Sequence, residues 1–227
     1  MTDRPILFFA PMSRALLDGR KTQTRRVLKN PLPPEDADRV YTWFPPADVP
    51  IEGIKNRWAP GGLWADQHME GRVGMLGFKG GYKRHVGFLP YRPGDRLWVR
   101  ESIDRMSEQG DAEIGYMADW PGDDPRGLGW RPSIHMPRWA SRITLIVTEV
   151  RVQRLQAISR GDAMAEGCPF SNMADGPDPR DWYRDLWNDL NAKRGYGWDT
   201  NPWVVAVSFQ VRAGNIDRLP AGDGGAS

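Results

Sequence analysis

The run ASRITLIVTEVRVQRL, from Ala140 to Leu155, is the longest β signal in the chain. Ile143, Leu145 and Val147 share one face, and Val150 and Val152 follow a bend expected at Thr148-Glu149. A strand of this length must find partners, and the chain offers several of the same alternating kind. In YRPGDRLWVRESI a Pro93-Gly94-Asp95 turn precedes Leu97 and Val99, which alternate with Arg96, Trp98 and Arg100. Trp203, Val205, Val207 and Phe209 alternate in a closing strand, Ile6 to Phe9 is a shorter β-like run, and RKTQTRRV enters another strand. No βαβ unit repeats. The pattern predicts an α+β fold whose mostly antiparallel strands close into a small barrel to hide their edges.

Three helices accompany these strands. Pro11 opens MSRALLDG, with Met12, Ala15 and Leu16 on one face and Gly19 as a left-handed stop. SRGDAMAEG carries a capping box from Ser159 to Asp162 and a stop at Gly167. In DPRDWYRDLWNDLNAKRG the residues Trp182, Tyr183, Leu186, Trp187 and Leu190 make a buried stripe, with Lys193 and Arg194 at the C-terminal end of the dipole. Residues 31–90 hold eight prolines and nine glycines with no sustained period, and 105–137 is similarly irregular. Both segments read as insertions into one domain spanning 1–212, and the Gly/Ala/Pro-rich stretch 213–227 reads as a disordered tail.

With 31 Lys and Arg against 29 Asp and Glu the net charge is +2, so no bulk field draws the molecule onto a polyanion. The local exception runs from Arg14 to Lys29, where Arg14, Arg20, Lys21, Arg25, Arg26 and Lys29 face the single anion Asp18. Such a run is either a solvated face or a phosphate-binding surface. The lone Cys168 excludes an internal disulfide framework, and nothing near the N-terminus has the form of a signal peptide or membrane span; a cytoplasmic protein is expected. His68 and His85 stand 17 residues apart without further ligands nearby, which argues against zinc.

Two features bear on chemistry. Glu166 sits in the last turn before Gly167, where the helix dipole disfavours an anion by about 0.3–1 kcal/mol. Lys21 precedes Thr24 by a spacing that faces opposite sides of an extended strand, so Lys21 must lie in the turn if the two are to meet. A threonine hydroxyl becomes a nucleophile when a base removes its proton, and a lysine serves as that base when its pKa falls. Arg20, Arg25 and Arg26 in the same cleft would lower that pKa, and a close Glu166 would raise it.

The run ALLDGRKTQTRRV resembles the opening of the ASCH family, in which a helix ends in Leu-x-Gly-Arg-Lys-Thr and enters a barrel strand. PGDRLWVRE, ITLIVTEVRVQRLQAI, DAMAEG and WVVAVSF are similar, in order, to later segments of that family. With SIHMPRWASRI added, the whole looks most like the larger ASCH proteins encoded in phages and prophages. The resemblance implies a PUA-like barrel acting in the host cytoplasm. It also implies the activity of the small N4-acetylcytidine amidohydrolases, whose lysine, threonine and glutamate fall on Lys21, Thr24 and Glu166. Thr24 would attack the acyl carbon, Lys21 would take its proton, and Glu166 would orient the site or carry a proton, with no cofactor or metal. The three are expected within about 4–6 Å of one another, the range of strong charge coupling, and replacing any of them is expected to leave stability nearly unchanged. Arg26 is a substrate-binding candidate that could stabilise the oxyanion, as could backbone N–H groups near Thr24, and Trp98, His135, Arg138 and Trp139 are candidates to hold the base. An acylated cytidine nucleoside or nucleotide, or RNA, is the implied partner. A non-catalytic RNA-binding module and an ASCH-type ribonuclease are the alternatives, and the chain is about twice as long as the compact amidohydrolases.

Overall fold

The computed structural model describes residues 3–28, 41–44, 74–78, 81–86, 91–104, 114–120, 129–170 and 176–219. Among the described residues the strands are β1 (Asp3–Leu7), β2 (Gln23–Val27), β3 (Tyr41–Phe44), β4 (Gly74–Phe78), β5 (Gly81–Val86), β6 (Arg96–Arg100), β7 (Ile103–Asp104), β8 (Trp130–Arg131), β9 (Ile143–Arg154) and β10 (Trp203–Ala213). The helices are α1 (Ala10–Leu17), α2 (Arg160–Ala165) and α3 (Pro179–Asn191).

Strand β9 organises the sheet. Along one edge it pairs antiparallel with all of β10, and its other pairings go to β6 through residues 144–146 and to β3 through 151–152. The expected bend at Thr148-Glu149 is a β-bulge: Ser208 lies opposite Glu149 and Phe209 opposite Val147, so Thr148 is the extra residue. One added residue shifts the two-residue period by one. That shift puts Val150 and Val152 on the same buried side as Ile143, Leu145 and Val147, all within one core with Leu97, Val99, Val205, Val207 and Phe209. Each such side chain contributes about 1.5–3 kcal/mol by leaving water. On the opposite face of β10, Val204 packs against Tyr183 and Trp187 of α3 together with Leu155, Ile158 and Ala163.

The fold is mixed α+β with a mostly antiparallel sheet, but the expected barrel does not close. β1 and β6 pair in parallel, and among the described residues β2 pairs only with β10. Strand alternation says which face is buried and is silent on which outer strands meet, so closure was over-read. Residues 31–90, expected as an irregular insertion, supply β3, β4 and β5 to the sheet; the rest of that segment lies outside the described residues. Within 105–137, β8 pairs with β7 and the described remainder forms short helical turns.

The predicted tail also needs correction. Ile216 is fully buried, and Asn215 Nδ2 donates to the carbonyls of Arg138, Trp139 and Ser141 at 2.8, 3.1 and 2.9 Å, so residues 214–219 pack on the domain. Residues 220–227 lie outside the described set. Among the described residues no helix is long and apolar enough to cross a membrane.

Candidate functional site

Backbone hydrogen bonds pin Lys21 before its side chain does anything. Its N–H donates to the Ala15 carbonyl of α1 at 2.9 Å, and Thr22 N–H donates to the Ala165 carbonyl at the end of α2 at 2.8 Å. Lys21 and Glu166 thereby form an isolated β-bridge, just outside β2. Lys21 Nζ then donates to Glu166 Oε2 at 2.7 Å and to the Glu166 carbonyl at 2.9 Å, with the lysine fully buried. The anion at the end of α2 is thus answered by a cation from the neighbouring segment, which removes the conflict with the helix dipole.

Gly167 makes this approach possible. Its φ is +101°, and a Cβ there would stand 2.9 Å from Ala15 Cβ and 3.2 Å from Lys21 Cβ. Gly167→Ala is therefore expected to cost about 2–4 kcal/mol, combining a left-handed backbone with overpacking, measured as a loss in the urea midpoint. A midpoint equal to that of the wild type would show that the contact relaxes at no cost.

Alternation along β2 divides its side chains as the sequence implies. Arg25 Nη1 donates to Glu166 Oε1 at 3.0 Å and to Gln23 Oε1 at 2.6 Å, on the side of Lys21. Arg26 Nη1 donates to Thr24 Oγ1 at 3.2 Å, and Arg26 Nη2 donates to the Leu7 carbonyl of β1 at 2.9 Å. Arg25 Nη2 also lies 3.1 Å from Asp162, the capping-box residue of α2, which accepts from Arg151 Nη2 at 2.8 Å. Two buried cations, Lys21 and Arg25, therefore meet two carboxylates, Glu166 and Asp162, and each charge has its counterion.

Burial is the main force on the Lys21 ammonium and pushes it below its ordinary pKa; Glu166 pulls the other way, while Arg26 and Arg25 add smaller downward pushes. The sequence named those opposing charges, but burial outweighs both. Tyr183 is pushed well above the usual phenol range by burial and by the Glu166 charge.

Asp162 is pushed up by burial but pulled down further by Arg151 and Arg25, reaching about 2 from an ordinary 3.8. A depressed carboxylate contributes stability above its unfolded pKa and loses it as pH falls through its folded one. At 15% side-chain exposure, partial screening leaves a contribution of about 1–2 kcal/mol. The stability gap between wild type and Asp162→Asn should be constant above pH 5 and should shrink as pH falls from about 4 to 2, read by urea unfolding at each pH. A gap that does not change over that range would contradict the assignment.

β1 and β2, the strands left unclosed, both wall a cavity of about 760 Å³. Thr24, Arg25, Arg26 and Glu166 line it together with Phe9, Tyr91, Tyr183, Trp187 and Tyr196. Its size falls in the range of small-molecule sites, and its walls are largely aromatic and aliphatic with a few polar groups.

The predicted residues divide accordingly. Lys21 and Glu166 are in direct contact, Thr24 and Glu166 line one cavity, and Arg26 holds the Thr24 hydroxyl. Lys21 does not line the cavity and reaches it only through Glu166. Trp98, His135, Arg138 and Trp139 do not line it either. Trp98 is buried on β6 beside Arg100, and His135 and Trp139 are exposed on short helical turns. Arg138 Nη2 donates to Asp217 and Asp3, each at 2.6 Å, which holds its pKa above the ordinary value. Arg138 thereby ties its turn to β1 and to the segment after β10. Sequence reasoning missed Arg25, Asp162 and Tyr183 as members of the site. Arg25 was signalled by sharing Lys21's side in the alternation, and Tyr183 by lying on the buried stripe of α3.

The basic run is not a surface stripe. Arg14 Nε donates to the Ala118 carbonyl at 2.7 Å, Arg20 pairs with Asp18 at 2.7 Å, and Lys21 and Arg25 are buried in the ion cluster. Lys29 lies outside the described residues. No protein-family model, curated protein or solved structure matches the chain.

Proposed function

We propose that the chain is an amidohydrolase that removes an acyl group from the exocyclic N4 of a cytosine nucleoside or nucleotide. The observation that carries this reading is a cavity lined by Thr24 and Glu166 together with aromatic side chains, with Lys21 bonded to the Glu166 carboxylate. Thr24 Oγ1 attacks the acyl carbon in the form of the protein in which Lys21 is a neutral amine, a form its lowered pKa favours, and the Thr24 proton passes through Glu166 to that amine. Arg26 Nη1, already 3.2 Å from Thr24 Oγ1, is placed to stabilise the oxygen that gains charge. The C–N bond then breaks, the amine leaves with the returned proton, and water hydrolyses the acyl-threonine. The aromatic walls take the flat base. Burial of Lys21 and Arg25 in the ion cluster, with Arg14 and Arg20 bonded to groups of the chain, favours this enzyme over an RNA-binding surface.

Purified protein incubated with N4-acetylcytidine and longer N4-acyl homologues should release cytidine catalytically, followed by chromatography. If every acylated cytidine survives while short RNA binds with a steep salt dependence, the binding module replaces the enzyme.

A further inference from the structure

Among the described residues the charged ones lining the cavity are three arginines and one glutamate. Arg25 and Glu166 belong to the buried ion cluster, which leaves Arg26 and Arg194. Among the described residues Arg26 donates to the Thr24 hydroxyl and to the carbonyls of Arg25 and Leu7, which commits it to the Thr24 side of the cavity. Arg194 is exposed, in the helical turn Ala192–Arg194 after α3, and among the described residues it has neither a hydrogen bond nor an ion pair. Asp181 and Asp185, acidic residues of that helix, pair with Arg184 and do not line the cavity.

We propose that Arg194 forms an anion subsite at the cavity and takes the phosphate of a nucleotide, so that the substrate is a phosphorylated N4-acylcytidine and not the free nucleoside. This rests on the amidohydrolase reading for the base and on the unpaired Arg194 for the phosphate. A guanidinium gives a phosphate two parallel N–H bonds, the geometry that makes arginine a phosphate ligand. A cavity of about 760 Å³ is of the size that holds one small-molecule ligand of this kind. Tyr196, two residues after Arg194 and exposed, is on its wall, where a base can stack while the phosphate faces the rim.

The test is binding, which does not require turnover. Titration by calorimetry compares cytidine with cytidine 5′-monophosphate, N4-acetylcytidine with its 5′-monophosphate, and a short RNA containing one internal N4-acetylcytidine. The monophosphates should bind about tenfold or more tightly than the nucleosides, the scale of a charge-assisted pair. In Arg194→Ala that ratio should fall to about threefold or less, and raising salt should reduce it in the wild type. Arg194→Lys should restore it in part, since a point charge replaces the fork. Equal affinity for nucleoside and monophosphate, no binding of either, or an unchanged ratio in Arg194→Ala would each overturn the subsite. If the RNA binds more tightly than the mononucleotide and loses that affinity in Arg194→Ala, the phosphate belongs to a polymer and the free-nucleotide substrate is overturned. A phosphate-dependent affinity without any acyl release would leave the subsite standing and refute the hydrolase.

Discussion

Thr24→Val should abolish acyl release, lowering kcat by about 10³-fold or more, while the protein unfolds within about 1 kcal/mol of the wild type. Valine keeps the shape of threonine and removes the oxygen that attacks. The only hydrogen bond lost among the described residues is the one accepted from Arg26 Nη1, and Arg26 retains its bonds to the carbonyls of Arg25 and Leu7. Thr24 is buried on β2, opposite Val207 of β10, so a β-branched apolar side chain suits the position. Thr24→Ser keeps the hydroxyl and should retain most of the activity. Steady-state kinetics on the best acylated cytidine, with thermal unfolding of the same preparations, reads both quantities. Turnover by Thr24→Val within tenfold of the wild type would remove the nucleophile from the mechanism.

Local chemistry was legible wherever one residue type answers one backbone need. The capping box at Ser159 and Asp162, the left-handed stops at Gly19 and Gly167, and the stripe of α3 are of this kind. The bend in β9 was legible too, since apolar residues change from odd to even positions across Thr148, and a bulge is how a sheet absorbs that change. The lysine–glutamate contact came from the family resemblance; spacing alone did not carry it.

What stayed hidden depends on partners distant in sequence. The parallel pairing of β1 with β6 leaves no mark on either strand, because alternation is the same in both directions of pairing. Strands β4 and β5 have five and six residues and begin with glycine, too short for a period to emerge. Arg25 reads as one more surface cation until Glu166 and Asp162 close on it. The packed segment after β10 rests largely on Ile216 and Asn215, single residues in a composition that otherwise reads as tail.

Glu166→Gln should destabilise the fold by about 3–5 kcal/mol, contrary to the expectation that the three matched residues are dispensable for stability. The lysine side chain of the pair is fully buried and the glutamate is 2% exposed, so removing the negative charge leaves Lys21 without a counterion and Arg25 with Asp162 alone. Glutamine keeps one oxygen to accept from a cation but presents its NH₂ to the other, which turns an attraction into a clash of donors. For a domain of this size the loss corresponds to a fall in Tm on the order of 10 °C. Lys21→Met alone should cost a similar amount, because it leaves Glu166 facing only Arg25. The double variant Lys21→Met with Glu166→Gln should be less destabilised than the two single losses added together, by about 1–3 kcal/mol, since Arg25 keeps Asp162 and no uncompensated lysine remains. Activity lost in Glu166→Gln must therefore be measured at a temperature where the variant is folded, or a stability effect will pass for a catalytic one. A Tm for Glu166→Gln within about 2 °C of the wild type would mean that the pair is not held as the geometry places it, and the route of the proton from Thr24 through Glu166 to Lys21 would fall with it.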